Sequence, residues 1–331
     1  MIIDAHTHMF HKTYLEYLAT NAGSWGKKII DSAREITRIR PQLCDVGERL
    51  AQMERNGIDF QVTTLQHTFE VNLIPVDVVT QLAAARQLND SLARLIEESK
   101  GRLIPAASVP LANYAEDSSK ELERAIYSLG LKAVGIPSNV RGKAIDLPEF
   151  EPFWAQVAEM GIPVYIHPVA PAGHTDRSYE AEYDLIHNFG WPFETILMLS
   201  RLVFSGIMER YPTLKVIGHH LGGGLPFFWA RTEETYDRKG QERTLGRVLP
   251  KPLFDYFSLF YYDTAIGGSA QSIRCAYEIF GADQILFATD APWGPGEYRL
   301  AKYPEVIRSL GLPEEDNRKI FADNARRLLN L

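Results

Sequence analysis

The chain has 331 residues, 45% hydrophobic and 23% charged, with 24 Gly and 19 Pro. That is ordinary globular composition, long enough to bury a core without staples. Its net charge of −7 comes from interspersed acidic and basic residues, so there is no basic stripe to track phosphates, which argues against nucleic acid as a partner. No apolar run approaches the roughly 18 residues of a membrane span. Two cysteines cannot make a disulfide framework, and the N-terminus carries no secretory pattern; the expected location is the cytoplasm.

Short apolar, β-branched runs alternate with stretches that repeat apolar residues every three or four positions. In chain order, strands are expected at Ile2–Met9, Phe60–Gln66, Leu103–Val109, Ala133–Pro137, Pro163–His167, Lys215–His220, Phe260–Ala265 and Ile285–Asp290. Helices are expected at Val76–Ser99, Asp117–Leu129, Pro148–Glu159, Phe193–Tyr211, Ser269–Phe280 and Tyr303–Leu310. Pro313–Leu331 reads as closing helices, with Glu314, Glu315 and Asp316 in the first turn and Arg326 and Arg327 in the last, the order a helix dipole favours. Near-continuous hydrophobic strands, each followed by a helix, imply parallel strands buried on both faces. Eight such units predict an α/β fold, a closed (β/α)8 TIM barrel, with 1–331 as one domain. Residues 10–45, after the first strand, and 170–192, after the fifth, exceed the minimal repeat. Both follow C-terminal strand ends, where barrel enzymes carry binding loops, so they read as substrate-covering insertions.

The strand assignment gives the histidines their meaning. His6 and His8 are two apart on the first strand and share a face. His167 ends the fifth strand, His220 the sixth and Asp290 the eighth. A lone His-x-His is more often one core and one loop residue. Five groups far apart in sequence, all at strand ends, instead converge on one barrel mouth. Imidazoles plus a carboxylate form a metal-ligand set, with His6, His8, His167 and Asp290 as ligands to one divalent ion. The set suits zinc, with manganese, cobalt or iron as chemical alternatives. His220, beside the ion, is left for proton transfer. Its neighbour His219 alternates to the other face and is expected to pack behind the barrel.

The motifs resemble the amidohydrolase superfamily, in the branch containing aminocarboxymuconate semialdehyde decarboxylase and γ-resorcylate decarboxylase. The similarity is carried by Ile3-Asp4-Ala5-His6-Thr7-His8, Ile166-His167-Pro168, Gly218-His219-His220-Leu221-Gly222-Gly223-Gly224-Leu225-Pro226, Phe287-Ala288-Thr289-Asp290-Ala291-Pro292-Trp293 and Asn324-Ala325-Arg326. It implies the same four ligands and places His220 in the family's acid/base position. Relatives commonly form dimers, so a homodimer is expected. The family's substrate-binding arginines are matched only loosely in spacing by Arg38 and Arg40, and neither is assigned. Lys132 lies at the start of the fourth strand, the wrong end for a bridging lysine between two ions, which favours a single ion. His174 and His187, in the second insertion, are the remaining candidates for a second one.

The expected activity is metal-dependent, non-oxidative decarboxylation of a small aromatic or unsaturated carboxylic acid, with His220 and Asp290 managing the proton. A hydrolase (of a lactone, thioester or amide) or a hydratase using the same site is the alternative. Phe10, Trp191, Phe227, Phe228 and Trp293 flank the strand-end motifs and would suit a flat substrate.

Overall fold

The β-branched runs pair as strands and the periodic stretches cover them as helices. The structure is a computed structural model that describes residues 1–21, 23–65, 70–112, 114, 116–169, 182–294 and 297–331. Eight strands lie side by side in sequence order: β1 Ile3–His8, β2 Phe60–Thr64, β3 Leu103–Ala107, β4 Ala133–Pro137, β5 Pro163–His167, β6 Lys215–Gly218, β7 Tyr261–Asp263 and β8 Ile285–Leu286. Every pairing between them is parallel. Ile3, Ala5, Val62, Ile104, Tyr165, Ile217 and Leu286 pack together inside the barrel, while Val134, Val164, Ile166 and Val216 pack outward in the cluster that includes the helices. Burial on both faces explains why the strands read as continuous apolar runs.

The barrel closes between β1 and the segment after β8. Ala5 N donates to Phe287 O at 2.8 Å, Asp290 N to His6 O at 2.9 Å and His8 N to Ala291 O at 2.7 Å. The expected strand Ile285–Asp290 is regular only to Leu286, and Asp290 has φ +61°. Closure is therefore made by an irregular chain reaching across.

β1 contains a bulge. Asp4 pairs with Gln61 and Thr7 with Thr63, so three steps on β1 match two on β2, the signature of one extra residue. Without it, Asp4, His6 and His8 would share a face. With it, Asp4 leaves the interior, where its carboxylate accepts from Thr289 N at 2.9 Å, Thr289 Oγ1 at 2.6 Å and Gln61 Nε2 at 3.2 Å. Arg49, fully buried on the helix Val46–Arg55, donates to the carbonyls of His8 and Gln42 and to Gln61 Oε1.

At the other end of the barrel, Ala322, Ala325, Leu328 and Leu329 join the interior cluster, and buried Asn324 donates to the carbonyls of Ala282 and Ile285, both at 2.8 Å. The expected closing helices are thus the base of the barrel. Residues 10–45 are less irregular than an open loop: they form the helices Lys12–Asn21 and Gly23–Ile39. Between β6 and β7 lie the helices Trp229–Thr235, Arg238–Leu245 and Leu253–Phe257, which are not among the expected ones. In the second insertion, residues 170–181 lie outside the described residues; the remainder leads through the turn Ile186–Gly190 into the helix Trp191–Phe204.

β6 stops at Gly218, and residues 220–224 all adopt left-handed backbone angles, from φ +52° at Leu221 to φ +91° at Gly224. The glycines answer a close approach. A Cβ on Gly223 would stand 1.9 Å from the carbonyl oxygen of Pro192. Gly223→Ala therefore combines a clash with an unfavourable φ and should destabilise by about 2 kcal/mol or more. Thermal unfolding should show a melting temperature several degrees lower; an unchanged value would mean that the turn relaxes freely.

Candidate metal centre and active site

The strand ends bring the expected residues together. His6 and His8 have ring centroids 5.0 Å apart, and His167 lies 5.8 Å from His6 and 5.1 Å from His8, with ring planes 72–77° apart. One ring nitrogen from each lies within 4.8 Å of the others. His6, His220 and Asp290 form an overlapping group by the same measure. His8 Nε2 is 3.1 Å from Asp290 Oδ1.

His219 is also here, contrary to its expected place behind the barrel. Its ring stacks on His6 at 3.5 Å. Ile217 points inward and Gly218 faces Leu199 on the helix layer, so strand alternation carries His219 inward. His220 would then point away, but its left-handed backbone, φ +57° and ψ +46°, swings it back to the mouth. Both imidazoles reach the centre, one by strand phase and one by the turn.

Between them sits Asp263, the last residue of β7, with no exposed surface. Its carboxylate meets the Nδ1 atoms of His6, at 3.0 Å, and of His219. Asp263 ends an apolar run just as Asp290 does, and that signal could have singled it out in the sequence. Arg299 carried no comparable signal. It lines the mouth and donates to Asp290 Oδ2 at 2.8 Å and to the Thr289 carbonyl at 3.3 Å.

The electrostatics favour neutral His6, His167 and His220 facing ionised Asp263 and Asp290. Burial, reinforced by the neighbouring His219, pushes His6 down to about 3. Burial, with His8, His219, His6 and His220 around it, holds His167 well below 6.5. Burial also lowers His220. For Asp263, burial alone would raise the pKa, but His6 and His219 outweigh it and hold the carboxyl well below its usual range. Asp290 is likewise raised by burial and lowered further by His8, His6 and His220, ending below the usual range. Near pH 7 His6, His167 and His220 offer imidazole lone pairs and Asp263 and Asp290 negative oxygens, the donor chemistry a divalent cation requires. His6 Nε2, His219 Nε2 and His220 Nδ1 are buried without a hydrogen-bond partner among the described residues. Such atoms need something to bind, and His6, His8, His167 and Asp290 fit a metal ion.

A cavity of about 580 Å³ opens above this cluster. His8, His167, His220 and Asp290 form its floor, with Trp191, Trp293 and Ile266 among its walls. Of the five flanking aromatics expected near a substrate, only the two tryptophans line it. Phe10 is fully buried, and Phe227 and Phe228 are exposed. Arg40 donates to the Pro292 carbonyl at 2.9 Å and lies 5.3 Å from the Trp293 ring, braced behind the cavity wall. Arg38 is exposed. His187 pairs with Asp184 at the rim; His174 lies outside the described residues. Lys132 is at the base, 3.5 Å from the Asn330 carbonyl, far from any bridging position.

In the metal-free protein, His6 has a lower pKa folded than unfolded, so unfolding takes up a proton below about pH 6.5. Its contribution to stability is complete above that pH and is lost as pH falls towards about 3. The urea midpoint should drop across this window, and less steeply in His6→Asn. Equal slopes would show that His6 is not the cause.

The amidohydrolase family profile matches residues 3–331. The 2-amino-3-carboxymuconate-6-semialdehyde decarboxylase of Dictyostelium discoideum is 29% identical, the match covering 99% of this chain and 91% of that protein. The gamma-resorcylate decarboxylase of Rhizobium sp. (strain MTP-10005) is 30% identical over 88% of this chain and 90% of its own. Among solved structures, the 5-carboxyvanillate decarboxylase of Sphingomonas paucimobilis superposes with a TM-score of 0.84 at 25% identity, covering 100% of this chain and 99% of that one. With its eight-stranded parallel barrel and a profile match spanning nearly every residue, this chain belongs to the amidohydrolase family.

Proposed function

We propose that this protein is a metal-dependent, non-oxidative decarboxylase of an aromatic or unsaturated carboxylic acid. The observation that carries this reading is the convergence of His6, His8, His167 and Asp290 beneath a cavity walled by two tryptophans, with His220 on its floor. The relatives described above, all decarboxylases by name, support the same reaction class. Hydrolysis or hydration, the other reading of the ligand set, draws no support from those names.

A divalent ion bound to the four ligands would hold the substrate carboxylate and a neighbouring oxygen and stabilise the charge that develops as the C–C bond breaks. Trp191 and Trp293 present apolar walls to a flat ring. Loss of CO2 leaves the bond's electron pair on carbon, and a proton must arrive there. His220, on the cavity floor and neutral near pH 7, is the group that takes up and delivers that proton. Asp290, held ionised, is an acceptor, and Arg299 on its Oδ2 keeps Oδ1 turned to the His8 side.

The donor set of imidazoles with one carboxylate suits a single zinc ion. A homodimer belongs to the same proposal: Phe189, Phe193 and Leu197, on and just before the helix Trp191–Phe204, are exposed, as are Phe227 and Phe228 after the neighbouring turn. Exposed apolar groups of this size mark association surfaces. The substrate-covering role of both insertions, the single-domain reading of 1–331 and the cytoplasmic location also remain part of this proposal.

A panel of hydroxybenzoates should yield CO2 with at least one member, while thioesters and lactones turn over far more slowly; the reverse pattern would make the protein a hydrolase. His220→Asn should retain its metal, by elemental analysis, and lose about 10²-fold or more in kcat. Loss of metal in that variant would move His220 into the ligand set. Asp290→Ala should release the ion on dialysis, and retention at wild-type stoichiometry would remove Asp290 from the ligands.

A further inference from the structure

β7 delivers one wholly buried carboxylate to the middle of the imidazole cluster. Asp263 Oδ1 accepts the backbone N–H of His220 at 2.9 Å and of Ala265 at 3.1 Å, which fixes the rotation of the carboxyl group. Oδ2 is thereby turned to two ring nitrogens at once, Nδ1 of His6 at 3.0 Å and Nδ1 of His219. An ionised carboxylate can only accept hydrogen bonds, so both Nδ1 atoms carry the hydrogen, which in a neutral imidazole leaves Nε2 bare. The two rings lie 3.5 Å apart with 20° between their planes. Neither Nε2 has a hydrogen-bond partner among the described residues.

We propose that Asp263 is the positioning residue of this centre: it holds His6 and His219 in the same tautomer, so that His6 offers a bare Nε2 to the divalent ion and His219 places a second bare Nε2 beside it. The proposal rests on the reading of His6 as a ligand. A histidine binds a metal only through an unprotonated nitrogen, and the hydrogen bond at the other ring nitrogen decides which one that is. Asp263 makes that decision for two rings with one oxygen.

Asn at this position is the sharpest test because it keeps the shape and inverts the donor pattern. Its carbonyl oxygen is needed by the two backbone N–H groups, which leaves its NH2 facing the imidazoles. A donor there requires a bare Nδ1, shifts the ring hydrogen to Nε2 and closes His6 to the ion. In Asp263→Asn, zinc affinity measured by chelator competition should fall about 10- to 100-fold, with the circular dichroism of the metal-free protein unchanged. A folded variant whose zinc affinity stays within about twofold of wild type would overturn the proposal.

Should Asp263→Asn fail to fold, the tautomer can be read in the wild-type, zinc-loaded protein by long-range 1H–15N correlation on 15N-histidine, with the His219 signals identified by their loss in His219→Gln. An Nδ1–H tautomer at His219 is expected; an Nε2–H tautomer would overturn the assignment. Wild-type zinc affinity in His6→Ala would instead mean that the reading of the metal centre is wrong, and the His219 tautomer would still test Asp263 on its own.

Discussion

The extra residue in β1 is the constraint on which the rest of the site depends. A regular strand would put Asp4 on the inner face with His6 and His8, adding an acid beneath the imidazoles. The bulge between Asp4 and Thr7 separates the two jobs. Asp4 turns outward and ties β1 to Thr289, one residue before Asp290. His6 and His8 turn inward. The interaction that closes the barrel thus also sets the distance between the first-strand imidazoles and the last carboxylate, and Arg49 on the His8 carbonyl braces the same corner from outside. Bulges at barrel rims commonly re-aim side chains in this way.

Five buried or nearly buried imidazoles and two carboxylates make an expensive polar cluster within an apolar barrel. The two carboxylates resolve part of the cost by using all their oxygens. Asp263 serves two rings and two backbone amides, and Asp290 is shared between His8 and Arg299. What remains, among the described residues, is three buried imidazole nitrogens without a hydrogen-bond partner: Nε2 of His6, Nε2 of His219 and Nδ1 of His220. Imidazole nitrogens of this kind, beside ionised carboxylates, are donors that suit a divalent cation.

The sequence was most legible where strand ends coincide with unusual residue types. His6, His8, His167, His220 and Asp290 could be assembled into one mouth because parallel barrel strands all end there. His219 faces inward, not behind the barrel, for a physical reason: the strand ends at Gly218, its alternation runs forward from the inward Ile217, and His220 lies beyond it in the left-handed turn. The left-handed turn that returns His220 to the centre depends on Gly222, Gly223 and Gly224, visible as a glycine run but not readable as a direction. Asp263 was overlooked inside a correctly placed strand because a lone acid at a strand end usually caps the next element. Arg299, on the helix Tyr298–Ser309, reaches Asp290 through tertiary folding alone, which no local pattern encodes.

The seal at the barrel's base carries a consequence for biosynthesis. Ile3 and Ala5 share their inner packing with Ala322, Ala325, Leu328 and Leu329, so part of the packing of β1 waits for segments synthesised much later. Contacts between segments so far apart in sequence are slow to form. The first strand therefore spends translation without its final neighbours, and a nascent chain halted before residue 322 would expose the apolar floor of the barrel to chaperones.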